Sequence, residues 1–164
     1  STPTFTFSSN EVGTTFECKV DGGSFDPCSG PAGSHTAFAL ADGPHQVQIR
    51  AVDASSNSDS TPATRAFAVD TKAPGTTILK KPIGKVKTKK KTARVKVSFK
   101  SEAGAAFECR LDSARFKRCA SPFRARAKSA SGKGRRHKIS VRATDSAGNA
   151  GKVAAVRFRV IRTG

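Results

Sequence analysis

The chain has 164 residues, room for one or two domains, with four Cys, no Met, Trp or Tyr, and eleven Phe as its only aromatics. Its formal charge of +18 is split unevenly: residues 1–73 hold four Lys/Arg against eight Asp/Glu, and residues 74–164 hold twenty-six against four, giving −4 and +22. No apolar run approaches a membrane span and no secretory leader is visible, so no membrane span is expected and a secreted reading implies a mature chain or a fragment.

In chain order, Thr4-Phe-Thr-Phe7 alternates as a half-buried strand. The opening Ser1-Thr-Pro-Thr-Phe5 reads as mid-protein sequence. Glu11-Val-Gly-Thr-Thr-Phe-Glu-Cys18 follows, and Asp21-Gly-Gly23 lies near the middle of the interval from Cys18 to Cys28, which predicts a hairpin with the two Cys facing each other across it. Phe25 is one residue out of phase with Cys28, which predicts a bulge or looser loop. Leu40-Ala-Asp-Gly-Pro-His45 reads as a corner before a strand, where sandwich domains often place a Tyr; with no Tyr available, His45 reads as a corner or strand-entry residue. Asp53 to Asn57 reads as a tight turn, and Arg65–Asp70 as a closing strand. Thr71-Lys-Ala-Pro-Gly75 reads as a linker, and Thr76-Thr-Ile-Leu79 as a first edge strand.

Beyond it the pattern returns. Glu102-Ala-Gly-Ala-Ala-Phe-Glu-Cys109 repeats Glu11 to Cys18; Phe116, Cys119 and Pro122 repeat Phe25, Cys28 and Pro31; His137 to Asp145 repeats His45 to Asp53; and Asn149 repeats Asn57, all at an offset of 91 or 92. Such a constant offset marks a duplicated module. The reading is therefore residues 1–70 as an acidic repeat, 71–75 as linker and 76–164 as a basic repeat. Thr76–Leu79 has no counterpart ahead of Thr4, so the first strand of the first repeat is absent from this sequence or is supplied by another chain.

Period two recurs in Val95, Val97 and Phe99, in Ile139, Val141 and Ala143, and in Val156, Phe158 and Val160, with no sustained helical period. Short strands with frequent turn residues predict an all-β fold: two immunoglobulin-like sandwiches of roughly seven strands each, each with one internal disulfide.

The run from Phe16-Glu-Cys18 through Pro31 and from Gly43 through Asn57, repeated at Phe107 through Pro122 and His137 through Asn149, resembles the tandem bacterial Ig-like repeats of large actinobacterial extracellular proteins. The resemblance covers nearly the whole chain. It implies an Ig-like sandwich repeated along a secreted or cell-surface protein, and no catalytic residue. Ser131-Gly-Lys-Gly134-Arg-Arg-His137 departs from it where the first repeat has the short Asp42-Gly-Pro-His45.

Four Cys in two matched pairs point to Cys18–Cys28 and Cys109–Cys119 bridges. Zinc is the rival reading, disfavoured because the pairs lack close C-x2–4-C spacing. No metal site is expected at His45 or His137, and turn chemistry is favoured over calcium at Asp145 to Asn149. No triad, carboxylate pair or phosphate loop is recognisable, so no enzyme, cofactor or small-molecule substrate is expected.

The candidate binding residues are cationic. One group is Lys80, Lys81, Lys85, Lys87, Lys89, Lys90 and Lys91, continuing to Arg94 and Lys96; the other is Arg124, Arg126, Lys128, Lys133, Arg135, Arg136 and Lys138. Arg142, Arg157 and Arg159 are expected to face outward, so the charge is expected to wrap the second repeat. A solvated surface is the plain reading. The sharper one is attachment to an anionic cell-envelope polymer or to an acidic partner surface; nucleic acid is the next and less expected candidate, gripped by its backbone only, since no recognition helix or base-stacking aromatic lies among these residues. The principal expected role is a structural spacer or fibre-forming, adhesin-like module. Head-to-tail association of an acidic and a basic repeat is a further expectation.

Overall fold

A computed structural model of the chain describes residues 2–31 and 33–164. Among them every regular element is a strand, and the chain divides into two compact units, Ser1–Thr71 and Lys72–Gly164.

The first unit contains β1 (Thr4–Thr6), β2 (Thr15–Val20), β3 (Asp26–Pro27), β4 (Ser34–Thr36), β5 (Gly43–Val52) and β6 (Ala63–Val69). β3-β2-β5-β6 form one antiparallel sheet and β1-β4 another. Alternation turns one face of each sheet inward, and the Phe residues join the two. Phe5 meets Phe67 edge-on at 5.0 Å between centroids, and Phe7 meets Phe16 at 4.9 Å.

The second unit contains β7 (Thr77–Lys80), β8 (Lys85–Thr88), β9 (Thr92–Lys100), β10 (Ala106–Leu111), β11 (Lys117–Cys119), β12 (Phe123–Lys128), β13 (Arg135–Thr144) and β14 (Ala154–Arg162). The sheet β11-β10-β13-β14 repeats β3-β2-β5-β6, and β12-β9 repeats β4-β1. Phe99 against Phe107, at 4.8 Å and edge-on, repeats Phe7 against Phe16. The alternating residues read from the sequence are the core: Val95, Val97, Phe99, Ile139, Val141, Ala143, Val156, Phe158 and Val160 are all buried.

Two strands, rather than the single edge strand expected at Thr76–Leu79, precede the counterpart of β1. β7 runs antiparallel to β9 in one sheet; β8 runs parallel to β14 in the other. The segment thus crosses between sheets, and Ile78 and Val86 pack against the core from either side. The short Lys-x-Lys alternation of β8 was hidden inside a basic run. The first unit has neither strand among its described residues, and a shallow recess lined by Phe5, Phe7, Val47, Ile49 and Phe67 opens between its sheets. Among its described residues the buried apolar ones are Cys18, Ala37, Val47 and Val69, against twelve in the second unit.

Residues read as linker are partly tied down. Thr71 donates its N–H and hydroxyl to Asp42 Oδ1 at 2.9 and 2.7 Å. Pro74 is buried, and the Gly75 carbonyl accepts the Ser101 hydroxyl at 2.7 Å.

Candidate functional site

The cysteines pair within each repeat, Cys18–Cys28 and Cys109–Cys119, with Cα separations of 5.0 and 5.8 Å that a disulfide spans readily. The two Cys do not face each other directly. Cys109 lies opposite Lys117, and Cys119 lies opposite Phe107, so the bridge is a diagonal across the ladder. In the first unit Cys18 is opposite Asp26, and Cys28 N–H donates to the Phe16 carbonyl at 3.1 Å. The hairpin register is two residues off the symmetric one, and Asp21 and Asp112 take up positive φ, 54° and 56°, at the first turn position.

Those two aspartates are functional residues of the fold that sequence reading passed over as turn formers. Asp21 Oδ2 accepts from His45 Nδ1 at 2.8 Å, and Asp21 Oδ1 accepts from the Gln46 N–H at 2.9 Å. His45 Nε2 donates to the Ala41 carbonyl at 2.8 Å, and its ring stacks on Phe67. The second unit repeats the set: Asp112 with His137 Nδ1 (2.8 Å) and Lys138 N–H (2.9 Å), and His137 Nε2 on the Lys128 carbonyl (2.7 Å). The histidine thus does what a corner tyrosine does in related sandwiches, bonding back to backbone upstream, with a carboxylate steering its other nitrogen. The available signal was that Asp and His recur together at the repeat offset.

Both partners of His45 are acceptors, so the ring satisfies both only when each nitrogen carries a proton. Accordingly the Asp21 carboxylate, and after it the Ala41 carbonyl, raise the His45 pKa above its ordinary value. The His45 hydrogen bond, followed by that from the Gln46 N–H, holds the Asp21 pKa below the usual carboxylate range. The raised His45 pKa gives stability that is complete below the unfolded value of about 6.5 and lost as pH rises through the folded value. The lowered Asp21 pKa gives stability present above about 3.9 and lost as pH falls through its folded value. Partial burial lowers the His35 pKa, which acts in the opposite sense to His45. The expected result is that the melting temperature of the first unit falls as pH rises above about 6.5 in the native chain, relative to His45→Phe in which that fall is absent. Calorimetry across this range checks it, and parallel curves for the two proteins would refute the assignment.

The Asp–Asn turns are satisfied by their own atoms. Asp53 Oδ1 accepts from Ser55 N–H (2.9 Å) and Asn57 N–H (2.8 Å), and Oδ2 accepts from Asn57 Nδ2 (2.7 Å). Asp145 and Asn149 repeat this pattern at 2.8 and 2.9 Å. Gly148 has φ 91°, and Ser56, its counterpart, is held at 67°. Ser56→Gly is therefore expected to stabilise the first unit by about 0.5–1 kcal/mol, the relief of a left-handed non-glycine residue less glycine's extra unfolded-state entropy. Denaturant titration of the two proteins measures it.

Phe25 and Phe116 are only half-buried and lie outside the buried core. Phe25 lies under Lys19 and Arg50 at 4.5 and 4.3 Å, and Phe116 lies under Arg110 and Arg142 at 4.4 and 4.6 Å. Arg50 and Arg142 also pair with Glu17 and Glu108. Each hairpin is thus clamped onto the sheet by cation–π contact as well as by sulfur.

Among the described residues, one group has the composition of a metal site: Cys18, Cys28 and His35. Both sulfurs are in the bridge, so neither is a thiolate ligand. Ser29 stands beside His35, but its hydroxyl donates to the Thr36 carbonyl (3.1 Å) and His35 Nδ1 accepts the Ser29 N–H (3.2 Å), a turn network rather than an activated nucleophile.

The candidate cations are spread over both sheets and the loops of the second unit. Lys80 ends β7. Lys85 and Lys87 are on β8, and Lys89, Lys90 and Lys91 fill the turn to β9. Arg124, Arg126 and Lys128 project from the exposed side of β12, where Arg124 faces Lys96 and Arg126 faces Arg94. Lys133 is in the loop before β13, which carries Arg135, Arg136 and Lys138. Lys81 follows β7 and is exposed. Arg142 is engaged by Glu108 at 2.7 Å.

No family model and no curated protein matches the chain. Among solved structures, the fibronectin(III)-like modules of CbhA from Clostridium thermocellum superpose with a TM-score of 0.52 at 17% sequence identity, over 96% of this chain and 83% of that one. The central fibronectin-III array of RIM-binding protein gives a TM-score of 0.32 at 12% identity, over 96% of this chain and 60% of that one. The first likeness shows the fold: the chain is all-β, with disulfide-braced, fibronectin(III)-like and hence Ig-like sandwich sheets.

Proposed function

We propose that the chain is a non-catalytic structural module of a secreted or cell-surface protein: two tandem Ig-like domains, 1–70 and 76–164, that space or join other parts of it. The observation that carries this reading is that each copy fixes the same hairpin three ways, by a disulfide, an Asp–His corner and a cation–π clamp. Bracing that is repeated unit by unit suits a part whose role is to keep its shape, and disulfides suit an oxidising compartment. The resemblance to actinobacterial surface repeats supports the same setting. Pulling the chain from its ends tests the proposal. Two unfolding events are expected, each lengthening by about 30 Å when its bridge is reduced, from ten residues at ~3.6 Å less the bridged span. A single event, or no bridge-dependent length, would sink it.

A second reading is favoured by the charge division, −4 before residue 74 and +22 after it. In it the second repeat grips an anionic polymer of the cell envelope. The same division, with the open recess of the first unit, supports head-to-tail association of neighbouring chains. Sedimentation at low and high salt tests that association, and a monomer at low salt and high concentration rejects it.

A further inference from the structure

We propose that the second unit carries a defined binding face for a linear polymer bearing phosphate or sulfate groups, formed by Arg136 and Lys138 on β13, Arg157 and Arg159 on β14, and Lys85 on β8. The proposal rests on the polyanion reading above and assigns it a place.

The register puts these side chains together. Arg136 is opposite Arg159, Lys138 is opposite Arg157, and Lys85 is beside Arg159 on the other flank. Their neighbours along the strands, His137, Ile139, Val156, Phe158 and Val160, are buried, so the five cations project from the outer face and line one shallow depression. With strands about 4.8 Å apart, Arg136, Arg159 and Lys85 form a row about 10 Å long across three strands. Lys138 and Arg157 form a second row about 6.7 Å along. No acidic residue lies on these strands. Asp112 borders the depression, but its two oxygens are taken by His137 and the Lys138 N–H. Arg159 gives one donor to the Lys133 carbonyl at 3.1 Å and keeps the rest of its fork.

The duplicated unit is an internal control. At the positions equivalent to Arg136, Lys138, Arg157 and Arg159, the first unit has Pro44, Gln46, Ala66 and Ala68, on strands paired in the same register. The fold therefore does not require cations there, and like charges directly opposite one another oppose it. An anion threading between the rows reverses that repulsion, and arginine forks match tetrahedral oxyanions. The one aromatic of the three strands, Phe158, points inward at 4% exposure, so the face offers bases no stacking platform.

The test uses the full chain and three probes of matched charge: polyphosphate, heparin and single-stranded DNA. The face variant combines Lys138→Gln, Arg157→Ala and Arg159→Ala, which install the first unit's own residues. A charge-matched comparator combines Arg115→Gln, Lys117→Gln and Arg118→Gln at the β11 edge of the same sheet, and melting temperatures no lower than that of the native chain show that both remain folded. The expected result is an affinity loss of about 100-fold for the face variant and under about threefold for the comparator, with a shallower salt slope only in the former. Whichever of polyphosphate and heparin binds more tightly identifies phosphate or sulfate as the group recognised. Equal losses in the two variants would mean diffuse attraction, overturning the face while leaving the polyanion reading intact. No binding of either polymer by the native chain at low salt would overturn that reading itself. Single-stranded DNA binding more tightly than polyphosphate would overturn the proposal in favour of base recognition.

Discussion

Replacing Cys18 and Cys28 by Ser is expected to unfold residues 1–71 while residues 72–164 stay folded. Closing a loop of about eleven residues contributes about 2.5–3 kcal/mol in the chain-entropy view. In a unit of this size the core itself rarely supplies more than about 3–5 kcal/mol. Among its described residues the first unit buries four apolar ones, one of them Cys18 itself, and has no counterpart of β7 and β8. Losing the bridge therefore removes most of its margin. The same replacement at Cys109 and Cys119 weakens the second unit by a similar amount, but eleven buried apolar residues besides Cys109 remain to hold it. Limited proteolysis followed by mass spectrometry separates the outcomes: loss of the first unit with the second intact is expected, and equal resistance of both units to bridge removal would refute the argument.

Ile139→Ala is expected to cost the second unit about 3–4 kcal/mol, and Ile139→Val about 1 kcal/mol. Ile139 is fully buried, sits between Leu111 and Val156 in the ladder and belongs to the cluster formed with Val95, Val97, Val141 and Phe158. A dense interior cannot close over three missing carbons, so the cost is transfer plus cavity. The first repeat carries Val47 at the equivalent place, also buried, which is why the valine change is tolerated by this architecture. For a unit of this size the alanine change lowers the calorimetric melting temperature on the order of 20 °C. A shift no larger than that of the valine variant would mean that the two sheets do not close around residue 139.

Much of the fold was legible because the chain states it twice. The strict alternation of Val95, Val97 and Phe99 or of Val156, Phe158 and Val160 can only bury one face of a strand, and those residues are buried. The recurrence of Cys at one offset fixed the pairing of sulfurs within a repeat. Three things were not legible. β8 is four residues long, alternates Lys with one Val, and is a strand only because β14 offers a parallel edge. The partner of each corner histidine lies 24 or 25 residues upstream, a contact made by the hairpin's positive-φ aspartate and invisible to local pattern. The positions of Phe25 and Phe116 depend on arginines of a neighbouring strand.

The candidate cations show the same division. The sequence alone determined how many there are and that they belong to the second repeat, because charge counts need no geometry. It also determined the all-β class, since period-two burial admits no helix. Only tertiary structure decided which cations stand together. Arg136, Arg159 and Lys85 are separated by up to 74 residues in sequence, yet adjacent in one row, because strand pairing and register, not chain proximity, set side-chain neighbours in a sheet.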